Sequence, residues 1–194
     1  MTLTFYFAPG SSSMAPHIAL HEIGAPFENK PLSFARRETR RPEFLALNPE
    51  GKVPTLLIDG RPLTEVAAIL FYLAKRYPEA GLLPRDDVEG EAQAISWMSF
   101  AASTLHPARR RGIEHAMQVY AIADEKLDDK EWAIGAYSIA DIHLFRLYWR
   151  LVNSLQFPAG TFRNLSAHYD RMMKRPAVRK TIEIEQAIGY GLPK

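Results

Sequence analysis

Asn48-Pro49-Glu50-Gly51-Lys52-Val53-Pro54-Thr55-Leu56-Leu57-Ile58-Asp59-Gly60-Arg61-Pro62-Leu63-Thr64-Glu65-Val66 holds a turn, a proline-led strand, a hairpin and a helix start in one short stretch. Asn48 to Gly51 is turn chemistry. Pro54 cannot donate to a sheet ladder, which places it at the first residue of a strand running through Thr55-Leu56-Leu57-Ile58. An X-Pro bond is the one kind that adopts cis at modest cost, and a cis bond here turns the Val53 backbone outward. Asp59-Gly60 is a two-residue hairpin signal. Thr64 is the expected cap of the following helix, with Glu65 in its first turn, where the helix dipole favours a carboxylate. The exposed strand edge at Val53 and the donor-rich helix start at Thr64 to Val66 together suit a small extended peptide: one pairs with its backbone, the other holds a carboxylate. The same pattern also reads as an ordinary hairpin followed by a helix.

The strands and helices on either side divide the chain. Residues 2–7 alternate as a strand does. Pro9-Gly10-Ser11-Ser12-Ser13 is a turn rich in hydroxyls, and Ser13 is the expected cap of a helix carrying Ile18, His21 and Glu22. Residues 27–32 form a weaker second strand. Residues 33–47 read as a polar loop and short helix with arginines at 36, 37, 40 and 41. In the helix after Glu65, Val66, Ile69, Leu70, Leu73 and Tyr77 share one face. A βαβ unit followed by ββα predicts a small mixed sheet with helices on its faces.

Beyond a proline- and glycine-marked linker at 79–87, no strand signal rises above noise. Helical patterns cover 88 to about 105, 113–127, 139–153, 162–173 and 176–188, with Pro107 and Gly112 as interruptions. The stretch 139–153 is apolar on nearly every side, which predicts a buried central helix, and Ser138-Ile139-Ala140-Asp141 has the form of a capping box at its start. The expected domains are therefore an α/β domain over 1–78 and an all-α domain over 88–194.

Composition narrows the function classes. The 194 residues are 47% apolar and 24% charged, with a formal net charge of +2. The charge is spread evenly along the chain, so nothing points to nucleic acid or a charged membrane surface. There is no cysteine, hence no disulfide framework, thiolate metal site or cysteine nucleophile. No apolar run is long enough to span a membrane, and the expected location is the cytoplasm. His17 and His21 are four apart on one helix, a metal-ligand spacing, but no third ligand accompanies them and no metal is expected.

Five pieces in order carry a family resemblance: Phe5-Tyr6-Phe7-Ala8-Pro9-Gly10-Ser11-Ser12-Ser13, Asn48 to Pro54, Leu63-Thr64-Glu65, Leu105-His106 and Ser138-Ile139-Ala140-Asp141. Along nearly the whole chain the sequence resembles the glutathione transferase family, most closely the bacterial beta class. The resemblance implies a thioredoxin-like N-terminal domain that binds glutathione as co-substrate, an all-helical C-terminal domain, a homodimer and a role in detoxification. It implies that Val53, preceding a cis Pro54, pairs with the cysteinyl backbone of the tripeptide. Glu65 and Val66 would hold the γ-glutamyl end, with a backbone N–H at Val66 where the family usually has serine. Arg36 and Arg37 fall near the basic residue that takes the glycyl carboxylate, and a solvated helix face is the competing reading for them. His106 corresponds to a histidine near the sulfur.

The chain departs from the beta class where that class carries cysteine in the first loop: here stands Ser12, with Ser11 beside it. A hydroxyl donating to sulfur stabilises the thiolate and lowers its pKa, and a helix N-terminus adds a favourable field. Tyr6 is displaced by one residue from the family tyrosine, so its side chain belongs on the other sheet face. The stretch between His106 and Trp132 is shorter than the class usually has. The expected function is a glutathione transferase that adds the thiolate to small hydrophobic electrophiles. The alternatives are a non-catalytic glutathione-binding or stress-regulatory homologue, and a glutathione-dependent peroxidase.

Overall fold

The computed structural model describes residues 1–153 and 160–191. By contact the chain forms two compact units, one of Met1–Leu73 together with the chain from Pro176 onward, the other Ala74–Arg175. The last helix therefore groups with the α/β unit, whereas the sequence pattern places it in the helical one. Its partner surface lies more than a hundred residues upstream, beyond the reach of any local pattern.

In the first unit, β1 (Leu3–Phe7), α1 (Met14–Ile23) and β2 (Glu28–Pro31) form the βαβ half, with β1 and β2 parallel. A 3₁₀ turn at Glu38–Arg40 and α2 (Pro42–Leu45) follow, then β3 (Thr55–Ile58), β4 (Arg61–Thr64) and α3 (Val66–Arg76). The sheet order is β2-β1-β3-β4, with β3 antiparallel to both β1 and β4. Asp59 and Gly60 both have positive φ, 48° and 80°, as a type I′ hairpin requires. Phe5 and Phe7 are fully buried on one sheet face, where their stacked rings meet His17 of α1. Tyr6, one position out of phase, lies on the opposite face against Phe44 of α2 at 5.6 Å between ring centres. Helix α3 buries Ile69, Leu70 and Leu73 completely, as its spacing predicts.

Two expected caps are corrected. Thr64 ends β4, paired with Thr55, and does not start the helix. The carbonyl of Glu65 accepts the first intrahelical bond, from Ile69 N–H, so Glu65 is the cap residue itself. Ser13 makes no side-chain cap bond to α1. It does hold the N-cap position, its carbonyl accepting the His17 N–H at 3.0 Å, but its backbone is helical where a capping residue is usually extended, and its own N–H donates to Ser11 Oγ at 3.2 Å.

The second unit is helical: α4 (Val88–Phe100), a π-helical turn at Ala101–Leu105, α5 (His106–Ala108), a 3₁₀ turn at Arg109–Arg111, α6 (Ile113–Lys126), α7 (Ile139–Val152) and α8 (Arg163–Met173). α9 (Pro176–Ile188) completes the chain's elements within the first unit. Pro107 does not break the helical path. The wider π turn just before it hands over where a proline would otherwise clash with an α-helical carbonyl. Twelve of the fourteen residues of α7 are buried, in line with the all-round apolar pattern. Ser138 and Asp141 form the capping box, and Asp141, fully buried, also accepts from Ala133 N–H at 2.8 Å and pairs with His168 Nε2 at 3.0 Å. Asp141 therefore ties the preceding loop and α8 to the start of α7.

Candidate functional site

The loop between β1 and α1 is buried apart from Ser12. Ser11 Oγ is turned inward, 2.7 Å from Ser13 Oγ, and accepts the Ser13 N–H. Ser12 is the hydroxyl at the loop surface, and it donates to the Val53 carbonyl at 3.3 Å. The first turn of α1 has no acidic residue to cancel the helix dipole beside it. Of the two neighbouring serines, then, Ser12 meets the strand edge and Ser11 organises the start of the helix.

The loop is held from behind by a residue with no local sequence signal. Glu185 of α9 is fully buried, accepts the Gly10 N–H at 2.6 Å through Oε2, and pairs with His17 Nδ1 at 2.9 Å through Oε1. A buried carboxylate is stable only when its oxygens are engaged, and both are. His17 is therefore a partner of Glu185. Its spacing to His21 serves ring packing, at 5.0 Å between centres, and burial together with His17 and Lys180 pushes the His21 pKa down to about 4.

The turn before β3 fixes the other wall. Asn48 donates from Nδ2 to the Lys52 carbonyl at 2.8 Å and accepts the Glu50 N–H at 3.2 Å. Gly51 has φ of 61°, and a Cβ there would lie 2.7 Å from the Thr39 carbonyl oxygen. The Val53-Pro54 bond that follows is cis. Glu65, at the far end of the hairpin, is exposed with φ of 68°, a left-handed conformation uncommon for a residue with a side chain and found preferentially at functional sites. Val66 opens α3.

Arg36 lies on the rim of a cavity of about 110 Å³ walled by Ala8, Pro9, Leu32, Phe34 and Ile188. Its Nε donates to Glu38 Oε1 at 3.1 Å, but the side chain remains 72% exposed. Arg37, in the left-handed region with φ of 53°, is not among the residues lining that cavity. The first unit thus gathers Ser11, Ser12, Val53 and Pro54 at one place, while Arg36 and Pro9 line one cavity. His106 belongs to the second unit. It is exposed, yet its imidazole is pushed down to about 4 by desolvation, then by the Arg146 and Arg110 charges.

Comparison with known proteins identifies the family. Residues 1–75 match the model of the glutathione S-transferase N-terminal domain, and residues 94–176 that of its C-terminal domain. The chain is 30% identical over 203 residues to glutathione S-transferase GstA of Escherichia coli O157:H7, covering 94% of this chain and 98% of that one. The chain belongs to the glutathione S-transferase family. Among solved structures, the beta class glutathione S-transferase of Sphingomonas chungbukensis is 36% identical with a TM-score of 0.78, covering 94% of this chain and 98% of that one. A sphingomonad glutathione S-transferase complexed with glutathione is 32% identical with a TM-score of 0.81, again covering 94% and 98%. The thioredoxin-like fold with a helical C-terminal domain is thus the fold of this transferase family, and glutathione transferase activity is the family's activity.

Proposed function

We propose that this transferase is of the beta type and holds glutathione along the Val53 edge with its sulfur beside Ser12, whose hydroxyl stabilises the thiolate for attack on a small hydrophobic electrophile. The observation that carries the reading is the 3.3 Å bond from Ser12 Oγ to the Val53 carbonyl. The hydroxyl sits beside the backbone group that would pair with the cysteinyl residue. At 3.3 Å between neutral groups that bond is long and weak. Redirecting the donor to a thiolate exchanges it for a charge-assisted one, roughly twice as strong. Lowering a thiol pKa by one unit takes about 1.4 kcal/mol, within reach of such a bond plus the α1 dipole.

The tripeptide's ends find partners in the same unit. Glu65 and the Val66 N–H at the start of α3 take the γ-glutamyl end, and Arg36 takes the glycyl carboxylate. Arg37 stays on the solvated side. The thiol proton leaves to solvent, the sulfur forms a bond to the electrophilic carbon, and the leaving group departs with its electron pair. His106 is carried, on the family resemblance, as a proton-handling residue; as a neutral imidazole it offers one donor and one acceptor. Without cysteine in the chain no mixed disulfide with glutathione can form. We further infer a homodimer and a cytoplasmic, detoxifying role on the same resemblance.

The test is the ultraviolet absorbance of bound thiolate against pH. The wild type is expected to titrate below free glutathione, and Ser12→Ala close to it. Retention on immobilised glutathione without any shift in thiol pKa would contradict the catalytic reading.

A further inference from the structure

The loop that follows β2 holds one arginine in a fixed direction. Ser33 ties it: its Oγ accepts the Arg36 N–H at 3.2 Å, its N–H donates to Glu38 Oε2 at 2.7 Å, and its carbonyl accepts the Glu38 N–H at 3.1 Å. These bonds close residues 33–38 into a tight turn, with the Glu38 side chain folded back across it. That side chain is only 12% exposed, against 72% for Arg36. The Ser33 N–H first, and Arg36 next, hold the Glu38 carboxyl below the usual carboxylate range, so it is ionised at neutral pH.

The other oxygen, Glu38 Oε1, takes Arg36 through its Nε at 3.1 Å. Nε lies on the stem side of the guanidinium. Binding there leaves the end-on pair of Nη groups free, and no other described residue engages them. That pair is one of the edges with which a guanidinium grips a carboxylate in bidentate fashion. Arg36 and Ser33 both line the cavity of about 110 Å³ that Ala8 and Pro9 also wall. Arg41 meets the same Oε1 through Nη2 at 3.3 Å, but it lines a different cavity, of about 360 Å³, with Tyr6, Phe44 and Leu47. One carboxylate thus sorts two arginines into two cavities. An ion pair this exposed on its cationic side adds little to stability, so its direction matters more than its strength.

We propose that Glu38 is a positioning residue of the transferase: by clamping Nε it aims the free end of the Arg36 guanidinium at the glycyl carboxylate of glutathione, and so sets how strongly that carboxylate is required. The inference rests on the reading that Arg36 takes the glycyl carboxylate. Two effects of Glu38 oppose each other. As a bare negative charge it would repel the tripeptide's carboxylate. As a clamp it lowers the entropic cost of fixing a long, rotamer-rich side chain on binding. The two predict opposite signs when the charge is removed.

The experiment is calorimetry on the full chain with two non-reactive probes, S-methylglutathione and its glycyl monoethyl ester, at matched ionic strength. The wild type is expected to bind the acid at least about tenfold tighter than the ester, the size of one charge-assisted bond. In Glu38→Ala, which leaves Arg36 no acceptor, the preference is expected to fall to about threefold or less while the ester binds as before. Glu38→Gln offers one oxygen and no charge, and is expected to lie between. Should the alanine variant lose ester binding as well, the glutamine variant decides. Arg41→Gln, which removes the other cation on Glu38, is expected to keep the wild-type preference. A preference that stays or rises in the deciding Glu38 variant overturns the proposal, a rise being what simple repulsion predicts. An equal fall in Arg41→Gln overturns it too, because the effect would then be one of net charge. Arg36→Gln reports the underlying reading separately: an undiminished preference there contradicts the placing of the glycyl carboxylate on Arg36, whatever Glu38 does.

Discussion

The carboxylate of Glu185 accepts the Gly10 N–H at 2.6 Å, joining the C-terminal helix to the loop that carries Ser11 and Ser12. The same carboxylate holds His17 at 2.9 Å, with both side chains fully buried. Removing it strands a buried donor and a buried imidazole. Glu185→Ala is expected to cost about 3 kcal/mol in unfolding free energy, while Glu185→Gln, which keeps an acceptor for Gly10, costs less. Denaturant unfolding measures both. Because the loop positions Ser12, the alanine variant is also expected to raise the pKa of bound glutathione thiol, and the glutamine variant to restore much of the lowering.

Gly51 gives a sharper test of the turn that leads to Val53. With φ of 61° and the Thr39 carbonyl oxygen 2.7 Å from where a Cβ would sit, the position has neither the conformation nor the space for alanine. Gly51→Ala is expected to lose more than about 1 kcal/mol of stability and to weaken retention on immobilised glutathione by displacing the strand edge. Thermal unfolding and column retention check the two effects.

At the start of α7, Ser138 and Asp141 are expected to differ in weight although both belong to one capping box. Ser138→Ala removes a cap and costs about 1 kcal/mol. Asp141→Ala also strands Ala133 N–H and His168, whose bonds to it are 2.8 and 3.0 Å, and is expected to cost about 3 kcal/mol. Equal losses in chemical denaturation would show that the loop and α8 contacts contribute nothing.

Acid is expected to destabilise the fold through its lowered histidines. His143 is pushed down to about 3, first by burial, then by Arg146 and His106; His21 is pushed down to about 4. Both are neutral in the folded chain at pH values where the unfolded chain protonates them. Stability is therefore whole above about pH 6.5 and falls as pH drops from there, the His21 share down to about 4 and the His143 share down to about 3. His143→Leu is expected to flatten that fall without lowering stability at pH 7, as measured by denaturant unfolding across the range.

Much of this is legible in the sequence because it is written locally. The Asp59-Gly60 hairpin, the proline before β3, the apolar face of α3 and the capping box of α7 each depend on residues a few positions apart. The cis bond at Val53-Pro54 is likewise foreshadowed by the proline itself, and the role proposed for Ser12 draws on turn chemistry and family resemblance together. Glu185 is not, because its meaning arises from Gly10 and His17, which lie far upstream. At the start of α1, three consecutive serines offer equivalent hydroxyls, and only the folded loop shows that Ser11 Oγ accepts the Ser13 N–H while Ser13 Oγ accepts that of Ala8. Thr64 reads equally well as a cap or as a strand end, and pairing with Thr55 decides it.

The most direct measurement is the pKa of the glutathione thiol bound to the wild type and to Ser12→Ala, by thiolate absorbance. A wild-type value at least about one unit below the ordinary thiol value near 8.5, lost in the variant with binding retained, is the predicted result. The same lowered value in both proteins would contradict the role given to the Ser12 hydroxyl.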